Sequence, residues 1–174
     1  MKRSGAVGAL ALVVAFGVPA HAAGESEIVK LIEESARAMS ALPKTRDRGA
    51  VLRLYAADYR GITDGEPQNR ESLEAVVGEI DENVKLGNPV AITNRMSNVH
   101  AEAAGPFGWA TYDFYSKIQV LGEVLGEVER RCTGVYGKRG ESWTIRHEHC
   151  STAWSAAPEP EEEDPPTNGP AVEG

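Results

Sequence analysis

The hydrophobic period of this chain changes once, at Gly87, and that change limits the folds open to it. Before it, apolar residues recur every three or four positions. Ile28, Leu31, Ile32 and Met39 fall on one face of a helix over about residues 26–41, which Pro43 is expected to end. Asp47 is placed to cap a second helix, on which Val51, Leu54 and Tyr55 share a side. Asn69 is placed to cap a third, carrying Leu73, Val76, Val77 and Ile80 at helical spacing. Between the last two, residues 58–63 read as a short strand turned by Asp64-Gly65. After Gly87, residues 90–103, 109–120, 124–136 and 143–151 are rich in β-branched and aromatic side chains and read as four strands. Gly105-Pro106, Leu121-Gly122-Glu123 and the Gly137–Gly140 stretch separate them. A helix with a single apolar stripe needs a wide partner, and a long antiparallel run supplies one. The expected class is α+β, with the helices on one face of a bent sheet.

The ends lie outside this pattern. Lys2 and Arg3, the apolar stretch 6–18, Pro19 and the small-x-small sequence Ala20-His21-Ala22 make residues 1–23 a secretory leader, cut after Ala22 or Ala23. The stretch is too short for a retained membrane span, and no cysteine follows it for lipid attachment. The expected location is exported, periplasmic or secreted, with no membrane association after cleavage. Residues 156–174 hold five prolines, six acidic residues and a single valine as their one sizeable apolar side chain, so they are expected to be a disordered tail. The domain is residues 24–155, a size that builds one core. The whole chain carries 18 basic and 26 acidic residues, a net charge of −8, which loss of Lys2 and Arg3 takes to −10. Such a surface does not suit a phosphate backbone, so no nucleic-acid partner is expected.

The closing strand carries a family resemblance. Val135-Tyr136, a glycine-containing hairpin and Trp143-Thr-Ile-Arg-His-Glu-His-Cys-Ser151 resemble the V-Y … W-x-I-x-H-x-H-x-S ending of SnoaL-like domains in the nuclear transport factor 2-like superfamily. The association domain of calmodulin-dependent protein kinase ends similarly. Leu54–Tyr59 resembles the family's helix-to-first-strand junction, and Asn98-Val99-His100 resembles a strand position of the association domain. The resemblance implies a cone-shaped curved antiparallel sheet wrapped around N-terminal helices, a pocket inside it, and a homodimer through the outer sheet face. It implies no single chemistry, because the family includes isomerases, cyclases, dehydratases and non-catalytic domains.

Strand parity sorts the last strand into two faces: Trp143, Ile145, His147, His149 and Ser151 on one, Thr144, Arg146, Glu148 and Cys150 on the other. In the association domain the position matching Cys150 is an arginine pointing into the cavity. The resemblance thus implies that the even face lines the pocket and that the histidines face outward. A thiol in place of that cation argues against anion binding. A five-residue hairpin loop would leave Cys132 and Cys150 diagonal on this face, and a shift of two residues would set them directly opposite. In an exported chain such a pair is expected to form a Cys132–Cys150 disulfide. The alternative is two buried thiols.

Candidate chemistry narrows quickly. His147-x-His149 has metal-site spacing, but a third ligand would have to be His100 or Asp113, so no metal is expected. No Gly-rich phosphate loop or G-x-S-x-G elbow is present, and no cofactor is expected. The expected ligand pocket holds Tyr55, Tyr59, Trp109, Asp113, Arg130 and Glu148. Asp113, Glu148 and Tyr59 are the candidate catalytic groups. A carboxyl in an apolar pocket moves a proton beside a carbonyl, and a tyrosine donates to the developing enolate oxygen. Against this stands a plain ion pair of Glu148 with Arg130 or Arg146. The favoured reading is binding of a small, mostly apolar molecule without catalysis. The alternatives are an isomerase, cyclase or dehydratase and an oligomeric assembly module. A buried carboxylate with no charged partner, beside a tyrosine in an open pocket, favours the enzyme.

Overall fold

The computed structural model describes residues 20–152, with side chains from Ala23 onward. The expected tail lies outside the described residues, as does the expected leader apart from Ala20–Ala23 at the start of the first helix. The helices are α1 (Ala20–Thr45), α2 (Arg48–Leu52) and α3 (Arg70–Lys85). The strands are β1 (Tyr55–Thr63), β2 (Glu66–Asn69), β3 (Val90–Ala104), β4 (Phe107–Val120), β5 (Glu123–Arg139) and β6 (Ser142–Thr152). They form one curved sheet in the order β2-β1-β6-β5-β4-β3, antiparallel except where β1 runs parallel to β6. The closing strand therefore sits inside the sheet, with backbone ladders on both sides. The architecture is the expected α+β cone. Among the described residues no helix is long and apolar enough to cross a membrane.

Helix α1 lies across the concave face. Ile28, Ile32 and Leu42 are almost fully buried, and Leu31, Ser35 and Ala36 continue the stripe. Ser35 is tolerated there because its hydroxyl donates to the Ile32 carbonyl at 2.7 Å. Gly108 of β4 lets α1 approach closely, since a Cβ there would sit 2.3 Å from Ile28 Cδ1. One core joins α1 to Leu54, Ala110, Tyr112, Tyr136, Trp143 and Ile145 of the following segments. A smaller one joins Leu42, Val51 and Val77 where the three helices meet. Asp47 caps α2 and Asn69 caps α3 as expected, the latter in a reciprocal box with Ser72.

Three local expectations need correction. Pro43 lies inside α1, which runs on to Thr45. A proline in the last turn forfeits one hydrogen bond, and the helix stops only at Arg46, where φ is 55°. The first strand starts at Tyr55, because α2 closes after five residues and leaves Leu54 and Tyr55 outside it. The last strand does not hold one parity. Its register with β5 shifts between Val135 and Tyr136, so that Val135 faces His147 while Tyr136 faces Ile145. Arg146 is the extra residue of this bulge. Trp143 and Ile145 therefore face the core before the bulge, and Glu148 and Cys150 face inward after it.

The bulge also settles the cysteine geometry. Arg139 pairs with Ser142 around a two-residue turn, and the extra residue brings Cys132 directly opposite Cys150. The two form the disulfide. Two pairs nearer the turn, Gly134 lies across from Glu148. A Cβ at Gly134 would stand 2.4 Å from the Tyr136 hydroxyl oxygen and 2.7 Å from its ring. Tyr136 is fully buried and has nowhere to retreat. Gly134→Val is expected to lower stability by about 2–3 kcal/mol through overpacking, read as a shift in the chemical denaturation midpoint.

Candidate functional site

Between α1, α3 and the concave sheet lies a cavity of about 320 Å³. Ala36 and Met39 of α1, Leu73 and Val76 of α3, Met96 of β3 and Phe114 of β4 give it apolar walls. Its buried end is made by Tyr55, Tyr59, Tyr112 and Glu148. Thr63, Gln68, Ser72 and Arg130 line its more exposed end.

Glu148 is the centre of the buried end. Tyr112 donates its hydroxyl to Glu148 Oε1 at 2.5 Å, and Tyr59 donates to Oε2 at 3.4 Å. Tyr55 stacks edge-on against Tyr59, with ring centroids 4.9 Å apart. The Tyr136 hydroxyl lies beside that of Tyr112 without hydrogen-bond geometry and is buried with no partner among the described residues. Four of the chain's five tyrosines thus surround one carboxyl. Burial pushes the Glu148 carboxyl above its ordinary value of 4.5, against the opposing pull of the Tyr112 and Tyr59 hydroxyls. Burial, then the charge of Glu148, push all four phenols above their usual range. No cation pairs with Glu148 among the described residues. Arg130 is held by Asp64 at 2.8 Å, and Arg146 by Asp58. The ion pair expected as the plain explanation of Glu148 does not form. The β1–β2 turn instead spends Asp64 on Arg130 and on the Thr152 backbone N–H, and those bonds hold its carboxyl below the usual range.

Of the six residues expected in the pocket, Tyr55, Tyr59, Arg130 and Glu148 line the cavity. Trp109 and Asp113 do not. The inward residues of β4 are Gly108, Ala110, Tyr112 and Phe114, which places the odd-numbered ones on the convex face. Trp109 is 42% exposed there. Asp113 bonds Asn98 at 2.6 Å and Arg131 at 3.0 Å, contacts that hold its carboxyl below the usual range on the face away from the cavity. Asp113 shares the convex side of β4 with Thr111 and Tyr115, one residue out of phase with the wall of the cavity. Tyr112 and Tyr136, absent from the expected set, were recoverable from the cysteines. Tyr112 pairs with Cys132, which pairs with Cys150, two residues from Glu148. His147 and His149 lie off the cavity, and the described residues hold no cluster of three His, Cys, Asp or Glu side chains suited to a metal.

Comparison with known proteins agrees with this architecture. A putative aromatic ring hydroxylase from Novosphingobium aromaticivorans superposes with a TM-score of 0.62 at 14% identity, over 75% of this chain and 90% of that one. A putative scytalone dehydratase from the same species gives 0.60 at 9% identity, over 76% and 86%. A putative calcium/calmodulin dependent protein kinase II association domain from Xanthomonas campestris gives 0.53 at 21% identity, over 76% and 87%. At these identities the likeness is one of fold. No curated protein matches the chain. The sequence model of the SnoaL-like domain matches residues 32–155, most of the chain and nearly the whole of the cone. The chain belongs to the SnoaL-like domain family.

Proposed function

We propose that this domain binds a small, largely apolar, uncharged molecule in the cone and that Glu148 moves a proton on it. The observation that carries the reading is the state of Glu148: a half-buried carboxyl with no cationic partner among the described residues, held by two tyrosine hydroxyls at the end of an open cavity. A carboxyl kept only for stability is normally paired. One left with a raised affinity for its proton, facing a cavity, is suited to acid–base work. The apolar walls suit the body of the molecule, and the tyrosine hydroxyls are donors for a carbonyl or enolate oxygen. The reaction class is proton abstraction beside a carbonyl, as in an isomerisation or a dehydration. This takes the catalytic alternative over passive binding. The test is uptake of deuterium at the α-carbons of a panel of cyclic ketones and enones in heavy water, followed by NMR. Exchange no faster than that of Glu148→Gln, with the ketones demonstrably bound, would leave a passive binding protein.

The same reading includes export and self-association. The disulfide suits an oxidising compartment. The convex face exposes Phe107, Trp109 and Val135, an apolar patch in keeping with a homodimer through the outer sheet. The expected sedimentation state is a dimer, and Trp109→Asp is expected to weaken association at least tenfold while the monomer stays folded by circular dichroism. A wild-type monomer at high micromolar concentration contradicts the dimer and leaves the cavity chemistry standing.

A further inference from the structure

The far wall of the cavity carries a polar group that none of the described residues uses. On β3 the inward residues run Ile92, Asn94, Met96, and Asn94 is the single amide among apolar neighbours. Its backbone N–H donates to Ser40 Oγ of α1 at 2.9 Å, which fixes the strand at this point. Its side chain is unspent. Oδ1 is shielded from solvent and accepts no hydrogen bond, and Nδ2 donates to none of the described residues. Ser35, the polar residue that α1 contributes to the wall, already donates to the Ile32 carbonyl. A shielded amide oxygen without a partner is costly and calls for a reason.

We infer that Asn94 is a second polar anchor of the cavity, which takes an uncharged hydroxyl or carboxamide at the end of the ligand remote from Glu148. This rests on the small-molecule reading above and adds the ligand's class: an apolar body with a neutral polar group at each end. An uncharged group is required because the charged side chains lining the cavity, Arg130 and Glu148, stand on β5 and β6. A half-turn of the amide exchanges its donor and acceptor, so a group that both gives and takes suits it best. The spacing sets the length. β4 and β5 lie between β3 and β6, about 14 Å along the sheet at about 4.8 Å per strand, and the curvature shortens the chord.

Matched probes test this on the full chain. 4-Alkylphenols with side chains from ethyl to hexyl address Glu148 through the phenol, and their ω-hydroxy counterparts add one terminal hydroxyl. Calorimetry should show the hydroxyl tightening binding about three- to tenfold at one or two chain lengths. In Asn94→Leu the sign should reverse, because the hydroxyl is then buried without a partner, so that each plain alkylphenol binds more tightly than its ω-hydroxy counterpart. Asn94→Ala repeats the comparison should the leucine variant not fold. A hydroxyl that changes nothing at any length, or a gain that survives loss of the amide, overturns the anchor while the plain phenols still report the cavity. No binding of any phenol to the wild type overturns the anchor and the small-molecule reading together.

Discussion

Glu148→Gln is expected to slow ketone deuterium exchange about 10²–10⁴-fold and at the same time to make the protein more stable. The rate loss is the usual cost of removing a positioned general base. The glutamine keeps the shape and one acceptor for Tyr112 but cannot take a proton. The stability gain has the opposite cause. In the folded chain the Glu148 carboxyl holds its proton more tightly than in the unfolded chain. The folded state thus binds the extra proton as pH rises from the ordinary value of 4.5 through the raised folded value. Stability contributed by this group is complete below that window, declines across it, and is lost above it. Removing the ionisable group should flatten that decline and raise stability at neutral pH by about 1 kcal/mol, as when a functional group no longer has to be carried. Thermal unfolding of both proteins from acid to neutral pH checks the slope, and the exchange assay checks the rate. A variant that loses stability as well as rate identifies Glu148 as a structural acceptor for the tyrosines. The wild-type rate should climb as Glu148 ionises. Tyr112→Phe should move that climb to higher pH, because it removes a donor that favours the charged form.

Replacing Cys132 and Cys150 together by alanine is expected to cost about 3 kcal/mol, a fall of roughly 10 °C in unfolding temperature. The two residues are 18 apart in sequence, so the bridge removes a sizeable loop from the freedom of the unfolded chain. Its position adds a local effect. Cys132 is buried in the main core, and both cysteines line the cavity beside Glu148. Losing the staple frees the β5–β6 ladder where Arg130 and Glu148 are set, beside Tyr112 of β4. Exchange activity should therefore fall at temperatures well below unfolding. The unreduced wild type should be lighter by two hydrogens than the reduced chain and should resist alkylation. A double variant with an unchanged unfolding temperature means that the hydrogen-bond ladder alone holds this hairpin.

Much of the fold was legible from local patterns. The caps at Asp47 and Asn69, the apolar stripe from Ile28 onward and the four strands after Gly87 need only nearby residues to be recognised. The ending around Trp143 and His147 carried the family. The site was half legible. Tyr55, Tyr59, Arg130 and Glu148 were named from the sequence and converge on the cavity. Trp109 and Asp113 were named and lie on the other face, and Tyr112 and Tyr136 were missed.

The difference has one physical source. Helical stripes, caps and strand propensity are set by residues within a few positions of one another, so the sequence alone determined the three helices, the five longer strands, their order and the α+β class, while the short β2 is defined by its pairing with β1. Which side of a strand faces inward is a two-fold choice that one extra residue reverses. The bulge at Arg146 reversed it within β6, and nothing local to Arg146 announces a bulge. Only the tertiary structure, by packing α1 against Gly108, Ala110 and Tyr112, decided which faces are concave. That choice left Glu148 among tyrosines and without a cation, and so turned a common residue into the centre of the site.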